Sequence, residues 1–423
     1  MPSPFSLQNL SSGIQTFKND GRSKVLVSVA LGWFLVLGMR LVMPVILPGV
    51  ILEYDLSLTA AGGALTILWI AYSVVQFPAG IFSDNFGERK ILTLSILIGT
   101  FGVLLFSFSP SFNFFIFACI IFGLGSGLFG TPRVTSLSKI YPENDGTVLG
   151  FTFSAGNFGS AVLPFIAGIL ATYLGWRYGF LFCIPIFIIT IFLLWNSPFK
   201  PPSSSTWGRY EFSKNIRLLV GGLSKRDVLL VSSATLLSVF TFQGFTSFFP
   251  LFLITMKSTS TTMATTIFSV FFITGAISQP ISGIISDKYG ERKLLLSLAA
   301  LHAICLLSLP FIHGTVPLIL LTILLGTRAG LAPVNNAYLA SSIPSKVQGS
   351  GLGLLRSIFI GLGALASFMV GFIADNYSFH LAMSLGGLDL AMSLGGLDLA
   401  FMSLGGLFFI ATLCYFSLPQ SRE

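Results

Sequence analysis

Four arginines lie within long apolar stretches of the chain: Arg40, Arg133, Arg328 and Arg356. A charge at the centre of a membrane-spanning helix costs about 2.5–3.5 kcal/mol on insertion scales, so each arginine indicates a function. No Asp or Glu falls within the core of the first eleven apolar stretches, where it could pair with them. A guanidinium carries a planar fork of donors that suits two carboxylate or phosphate oxygens. These residues therefore predict an anion-binding site.

Two uncharged polar residues accompany the arginines. Gln243 stands 203 positions after Arg40, and Asn335 stands seven residues after Arg328, on the same helical face. The alternative for the whole set is hydrogen bonding between helices without contact to a substrate. The predicted substrate-binding residues are Arg40, Arg328, Gln243, Arg133, Arg356 and Asn335.

The elements that must position these residues are apolar helices. Of the 423 residues, 53% are hydrophobic and 9% are charged, whereas soluble domains carry about a quarter charged residues. A helix of about 20 apolar residues spans a bilayer. The sequence predicts an all-α membrane protein with twelve transmembrane helices, at residues 25–52, 60–83, 90–109, 113–140, 147–173, 177–196, 227–256, 262–286, 293–311, 315–340, 347–373 and 380–417.

A polar segment rich in Pro, Ser, Lys and Arg divides these helices into two sets of six. We interpret it as a cytoplasmic linker between two bundles. The predicted divisions are a cytoplasmic leader at 1–24, an N-terminal bundle at 25–196, the linker at 197–226, a C-terminal bundle at 227–417 and a cytoplasmic tail at 418–423.

The last apolar stretch contains a tandem repeat. Residues 381–389 and 390–398 are identical copies of LAMSLGGLD. With both copies removed, the remaining sequence is a final helix of normal length. We interpret residues 381–398 as an insertion, either without a function of its own or produced by an error of sequence assembly.

One charged motif occurs in both halves. Residues 80–90 read GIFSDNFGERK and residues 283–293 read GIISDKYGERK, again 203 positions apart. This motif resembles the loop 2–3 signature of the major facilitator superfamily and its echo in loop 8–9. The resemblance implies two pseudo-symmetric six-helix bundles and secondary transport by alternating access. It also implies that helices 1, 4, 7 and 10 line the substrate cavity.

The resemblance implies a gating role for the two motifs. The Asp84 carboxylate would face the start of helix 11 and Asp287 the start of helix 5, where free N–H groups favour an anion by about 0.3–1 kcal/mol. Arg89 and Arg292 would hold these carboxylates, and the glycines would permit a tight turn. The predicted gating residues are Gly80, Asp84, Gly87, Arg89, Gly283, Asp287, Gly290 and Arg292.

Helix 5 carries a partial match to the antiporter signature of the same superfamily. Gly150, Gly159, Pro164 and Gly168 fit the signature, whereas two of its glycines are replaced here by Leu163 and Ala167. Antiport does not follow from this match, because small residues also let helices pack closely.

Basic residues predict the orientation in the membrane. With the N-terminus inside, 17 Lys and Arg residues fall on the inner side and two, Arg177 and Lys257, on the outer side. Cytoplasmic loops carry the excess of Lys and Arg. We therefore expect a cell-membrane protein with both termini in the cytoplasm.

The sequence predicts neither an enzyme nor a cofactor or metal site. All four cysteines lie in apolar stretches without a Cys-x-x-Cys pair, and no nucleophile, base and orienting acid can be combined. His302 is expected to be a packed, neutral imidazole. The basic residues are spread over short loops, which argues against nucleic acid. The expected partners are a small anionic substrate and the bilayer, with the protein as a monomer.

The predicted function is secondary transport of a small organic anion, a mono- or dicarboxylate, in contact with Arg40 and Arg328. One alternative is efflux of an amphipathic drug, which the partial helix 5 signature and the 43 phenylalanines favour. A second alternative is a membrane sensor that does not transport. The two complete hinge motifs argue against a sensor, because a fixed scaffold needs no gates.

Overall fold

The computed structural model describes residues 21–199, 226–342, 348–376 and 395–418. Within these ranges the chain forms helices and no strand, and twelve segments are long and apolar enough to cross a membrane. The predicted all-α membrane fold is therefore confirmed. The helices are α1 Arg22–Tyr54, α2 Leu58–Phe86, α3 Glu88–Ser107, α4 Phe112–Ile140, α5 Asp145–Leu174, α6 Tyr178–Trp195, α7 Arg226–Thr255, α8 Thr261–Tyr289, α9 Glu291–Phe311, α10 Thr315–Ser342, α11 Gln348–Asn376 and α12 Gly396–Phe416.

The helices of the second half repeat those of the first in register. Helix α2 begins at Leu58 and α8 at Thr261, which is 203 positions later, and the same offset separates the starts of α3 and α9. Both α2 and α8 are capped by a serine, Ser57 or Ser260, whose hydroxyl accepts from the backbone N–H three residues on. Such a cap satisfies one of the free N–H groups of a helix start.

The turn between α2 and α3 and its counterpart between α8 and α9 share one backbone conformation. Gly87 has φ 88° and ψ 143°, and Gly290 has φ 92° and ψ 142°. These angles favour glycine, because a side chain would strain the backbone there. The hinge glycines therefore permit the tight turn that the motif predicts.

Helix α12 lies later in the chain than the offset predicts. The last residues of α6 and α12, Trp195 and Phe416, are 221 positions apart, which is 18 more than 203. Eighteen residues is the length of the two LAMSLGGLD copies. Residues 381–394 lie outside the described ranges, and Gly396 to Asp398 of the second copy form the first turn of α12.

Two helices that the sequence predicts as continuous are broken. Helix α10 contains a 3₁₀ turn at Thr327–Gly330, and α11 is interrupted between Gly363 and Leu365. At the second break, the Thr66 hydroxyl donates to the Ala364 carbonyl at 2.7 Å and accepts from the Phe368 N–H at 3.1 Å. One side chain of the other half thus replaces the missing helical bond.

The two halves meet through α2 with α11 and α5 with α8. We call the end where α1 begins and α6 ends the linker end, and the opposite end the distal end. The contacts between halves run from the distal end to the middle of these helices. A Cβ at Gly62 would overlap the Ser367 carbonyl oxygen, and one at Gly371 would overlap that of Leu58. Small residues therefore allow backbone contact at the distal end.

Towards the linker end the same helices are apart. A Cβ added at Gly150 of α5, Gly283 of α8 or Gly353 of α11 would have no neighbouring atom within 4 Å. The inter-half hydrogen bonds among the described residues reach no further towards this end than Asn157 of α5 and Gln279 of α8, which are joined at 3.2 Å. Among the described residues, the two halves are therefore apart at the linker end.

Candidate functional site

Arg40 lies in the middle of α1 and faces α2. It is 3% exposed, and its Nε donates to the Val36 carbonyl of the preceding turn at 3.3 Å. The guanidinium carbon lies 3.9 Å from the ring centroid of Tyr72 and 5.0 Å from that of Trp69. Aromatic faces attract a desolvated cation by about 2 kcal/mol. The rings therefore stabilise this charge in part without neutralising it.

Arg133 of α4 is fully buried near the same place. Its Nη1 donates to the Thr152 hydroxyl of α5 at 3.0 Å, and its guanidinium carbon lies 4.1 Å from the ring centroid of Trp33 in α1. Its Nε and Nη2 are buried and have no acceptor in the described part of the chain. Buried donors are usually paired, so this guanidinium is unusual.

The second half contributes a third cation. Arg356 of α11 is exposed and lies close enough for its charge to act on Arg40, Arg133 and Tyr72. We call Arg40, Arg133 and Arg356 the arginine cluster. No Asp or Glu of the described ranges forms an ion pair with any of them. The cluster thus presents like charges from both halves, which an anion would neutralise.

Arg328 does not join the cluster. It lies in the 3₁₀ turn of α10, and its Nη2 donates to the Ser238 carbonyl of α7 at 2.7 Å and to the Ser238 hydroxyl at 3.2 Å. Its guanidinium carbon lies 4.4 Å from the Phe242 ring. In this conformation Arg328 contacts α7 and Arg40 contacts α2, whereas the sequence pattern groups them at one substrate.

The two predicted amides are used between helices of the second half. Gln243 of α7 donates from its Nε2 to the Ile360 carbonyl of α11 at 3.3 Å, and its Oε1 is buried without a donor among the described residues. Asn335 of α10 exchanges hydrogen bonds with the Tyr415 hydroxyl of α12, at 2.8 and 3.1 Å. These contacts match the alternative in which the amides join helices.

At the first hinge, the acidic residues pair with a lysine of the same half. Lys139, near the end of α4, lies 3.5 Å from Asp84 and 2.6 Å from Glu88. Glu88 is buried at the start of α3, while Asp84 is half-buried. In this conformation Asp84 is therefore held within the first half.

The predicted role of Arg89 and Arg292 in holding the hinge carboxylates stays a prediction, and in this conformation neither arginine forms an ion pair with a carboxylate of the described residues. The Arg89 guanidinium carbon lies 5.5 Å from the ring of Trp195, the last residue of α6. Arg292, 203 positions later, donates to the carbonyl of Phe416, the last residue of α12, at 2.6 Å. A cation is favoured at a helix C-terminus, where carbonyls are free. Each hinge arginine thus contacts the end of the sixth helix of its half.

The two hinges differ in their acidic residue. Asp287 is exposed and forms no hydrogen bond or ion pair with the described residues. Its predicted gating role, like that of Gly80 and Gly283, stays a prediction, because the halves are apart at this end.

A carboxylate that the sequence does not single out joins the halves at the distal end. Asp375, near the end of α11, accepts from the Leu58 N–H at 3.1 Å, the Thr59 N–H at 2.7 Å and the Thr59 hydroxyl at 2.6 Å. Ser57 accepts from the next N–H, that of Ala60. The first three N–H groups of α2 are therefore all paired, two of them by the other half.

Sequence reasoning also missed Tyr72, Trp33 and Lys139. The aromatic residues are typical of any apolar helix, and only their distance from the arginines distinguishes them. The pairing of Lys139 could have been predicted, because it is a lysine at the end of a membrane span that faces an acidic hinge.

Comparisons with known proteins agree with this fold. The sequence model described as Major Facilitator Superfamily matches residues 29–368 and 257–423. The chain is 24% identical over 409 residues to the riboflavin transporter RibZ of Clostridioides difficile (strain 630), which covers 84% of this chain and 89% of that protein. It is 25% identical over 257 residues to the nitrite extrusion protein of Bacillus subtilis (strain 168), covering 60% of this chain and 63% of that protein.

Two solved structures show the same fold. A D-xylose–proton symporter has a TM-score of 0.78 at 17% identity, covering 95% of this chain and 99% of that chain. A bacterial homologue of the human lysosomal transporter Spinster, in an inward-facing and unoccupied conformation, has a TM-score of 0.79 at 15% identity, covering 94% and 97%. With twelve apolar helices, a repeated hinge and a family match along most of its length, the chain belongs to the major facilitator superfamily and is a multi-pass membrane transporter.

Proposed function

We propose that this transporter carries a small organic anion, a mono- or dicarboxylate, by alternating access. The observation that carries the proposal is the arginine cluster: three cations from both halves, without an acidic partner among the described residues. Removing one partner of a buried, hydrogen-bonded charge pair costs about 2–5 kcal/mol. Each arginine of the cluster is therefore expected to contribute strongly to anion binding.

Arg328, Gln243 and Asn335 have a smaller part in this proposal. Their donors are largely used within the second half, so they support the shape of the site. Arg328 keeps one buried donor, Nε, without an acceptor in the described ranges, and it can complete the site in another conformation.

The orientation is also part of the proposal. The excess of Lys and Arg places the linker end and both termini in the cytoplasm of a cell-membrane protein. This conformation then opens inward. The transporting unit is a monomer, because one chain contains both halves of the site.

The runner-up is efflux of an amphipathic drug. The aromatic rings around the cluster favour it, as does 33% identity over 119 residues to the multi-drug resistance efflux pump PmrA of Streptococcus pneumoniae, which covers 28% of this chain and 30% of that pump. A cationic drug, however, would meet three like charges.

Thermal shift of the purified, full-length protein tests the choice, because a ligand that prefers the folded state raises the melting temperature. We expect carboxylates to stabilise the wild type and to lose at least about 30-fold in affinity in Arg40→Gln and Arg356→Gln. Arg177→Gln, at the distal end and outside the proposed site, is the control and should change affinity less than about threefold. Stabilisation by cationic or neutral amphipaths alone would contradict the anion proposal and support efflux.

A further inference from the structure

The guanidinium of Arg133 keeps one complete edge of donors unpaired. Its Nη1 is used by Thr152. The remaining donors, Nε and Nη2, lie side by side on the opposite edge, and both are buried with no acceptor in the described part of the chain. Two parallel N–H groups on one edge fit two coplanar oxygens of a single oxyanion.

A second side chain near the guanidinium also has an unpaired donor. The indole Nε1 of Trp33 is buried without an acceptor among the described residues, and the Trp33 ring lies 4.1 Å from the Arg133 guanidinium carbon. Three donor nitrogens of two neighbouring side chains thus have no partner among the described residues. A donor buried without a partner is unfavourable, so a ligand acceptor here would be strongly favoured.

Packing fixes the direction of these donors. The Trp33 ring stacks on Phe129 at 6.5 Å between centroids, and a Cβ at Gly156 would overlap its indole nitrogen. The hydrogen bond to Thr152 holds the guanidinium plane from its other edge. Donors held in this way distinguish anions by shape, because they cannot turn to follow a different arrangement of oxygens.

We propose that the transported anion presents a planar oxyanion group, as in a carboxylate or nitrite, in the plane of the Nε–Nη2 edge of Arg133, with one oxygen near the Trp33 indole. This assignment rests on the proposed anion transport and deepens it. Phe153 of α5 lies 4.6 Å from the guanidinium carbon and is 39% exposed. Because both donors of the edge are buried in this conformation, side chains around Arg133 move to admit the anion.

Arg133→Lys tests this geometry, because lysine keeps the charge but lacks the paired edge. The purified full-length protein is titrated with planar anions (acetate, benzoate, nitrite) and tetrahedral anions (phosphate, methanesulfonate), with thermal shift as the readout. We expect the wild type to prefer planar anions by at least about tenfold, the contribution of one hydrogen bond to a charged group. Arg133→Lys should abolish this preference, and Trp33→Phe should reduce it. Lys90→Met, an exposed change at the linker end, is the control.

The outcomes separate this inference from the proposed function. Equal affinity of the wild type for planar and tetrahedral anions overturns the planar site and leaves anion transport standing. If the preference for planar anions survives in Arg133→Lys, other residues cause it, and the proposed role of Arg133 is wrong. If Arg133→Lys does not fold, the wild-type comparison alone still decides the class of anion. Binding of nitrite without acetate or benzoate would identify an inorganic oxyanion, and absence of all anion binding would contradict the proposed function itself.

Discussion

The same two helix pairs pass through both ends of the molecule, yet they touch at the distal end and are apart at the linker end. At the distal end, glycines bring backbones together and Asp375 pairs with the start of α2 in the other half. At the linker end, Asp84 pairs with Lys139 of its own half. We infer from this contrast that carboxylates near helix ends select the conformation. On this inference, a carboxylate bound across the halves closes its end, and one bound within a half leaves its end open.

The largest effect is expected from Gly62→Leu at the distal end. A Cβ there overlaps the Ser367 carbonyl oxygen, so a leucine must push α2 and α11 apart. Overpacking costs about 1–3 kcal/mol, which corresponds to roughly 5- to 150-fold in the equilibrium between the conformations. Transport into proteoliposomes should fall by a similar factor.

Gly63→Leu is the matched control for this change. The nearest atom to its Cβ would be a side-chain atom of Phe368 at 3.9 Å, an ordinary contact. Its transport rate should stay within about threefold of the wild type. Equal losses in the two variants would show that the close backbone approach at Gly62 is not what matters.

A medium effect is expected from Asp375→Ala. The change removes the acceptor of two N–H groups at the start of α2, and loss of a helix cap costs about 0.5–2 kcal/mol. The distal end should therefore open more often, by roughly 2- to 30-fold. Thiol labelling of Ser367→Cys, a buried position whose carbonyl lies against Gly62, measures this opening.

The control for Asp375→Ala is Asn376→Ala at the next position. Asn376 donates only to the Phe372 carbonyl of its own helix among the described residues. The Asn376→Ala variant should be labelled as slowly as the protein that carries only the reporter cysteine. If the Asp375→Ala variant is labelled equally slowly, Asp375 does not stabilise the distal contact.

The smallest effect is expected from Lys139→Met at the linker end. This change releases Asp84, which can then reach the start of α11 and favour closure of the linker end. The side chains of Lys139 and Asp84 are 40% and 29% exposed, so loss of this pair is expected to shift the equilibrium by less than about 1 kcal/mol. Lys139 also pairs with buried Glu88 of the same half, and loss of that contact is expected to lower the stability of both conformations. Reduced access of a thiol reagent to position 353 measures it, with Lys24→Met, an exposed change at the same end outside both motifs, as control. Increased access of the thiol reagent to position 353 would contradict the gating role of Asp84.

Much of the fold could be predicted from the sequence, because apolar length and a fixed repeat depend on the chain alone. The twelve helices, the offset of 203 and the four membrane arginines are all visible in the residues. The contact of Arg328 with α7 was not visible in the sequence, because it depends on which face of α10 turns towards α7. The contacts of Arg89 and Arg292 were missed for a similar reason: a long side chain can reach a carboxylate or a helix end equally well, and packing decides between them.

The distal contact shows a further limit of sequence reasoning. Asp375 lies at the end of a span, where an acidic residue is unremarkable. Its partner, the start of α2, lies more than 300 positions away, and no motif connects the two. Only the packing of α2 against α11 reveals the contact.

The central claim is alternating access, in which opening one end closes the other. Spin-label distances test it most directly, with one pair at Lys90 and Lys293 of the linker end and a second pair at Leu52 and Thr255 of the distal end, all four positions being exposed. Cys414, the half-buried native cysteine, is replaced by serine. In Gly62→Leu the distal distance should lengthen and the linker-end distance should shorten relative to the wild type. Lengthening at the distal end with no change at the linker end would contradict the claim.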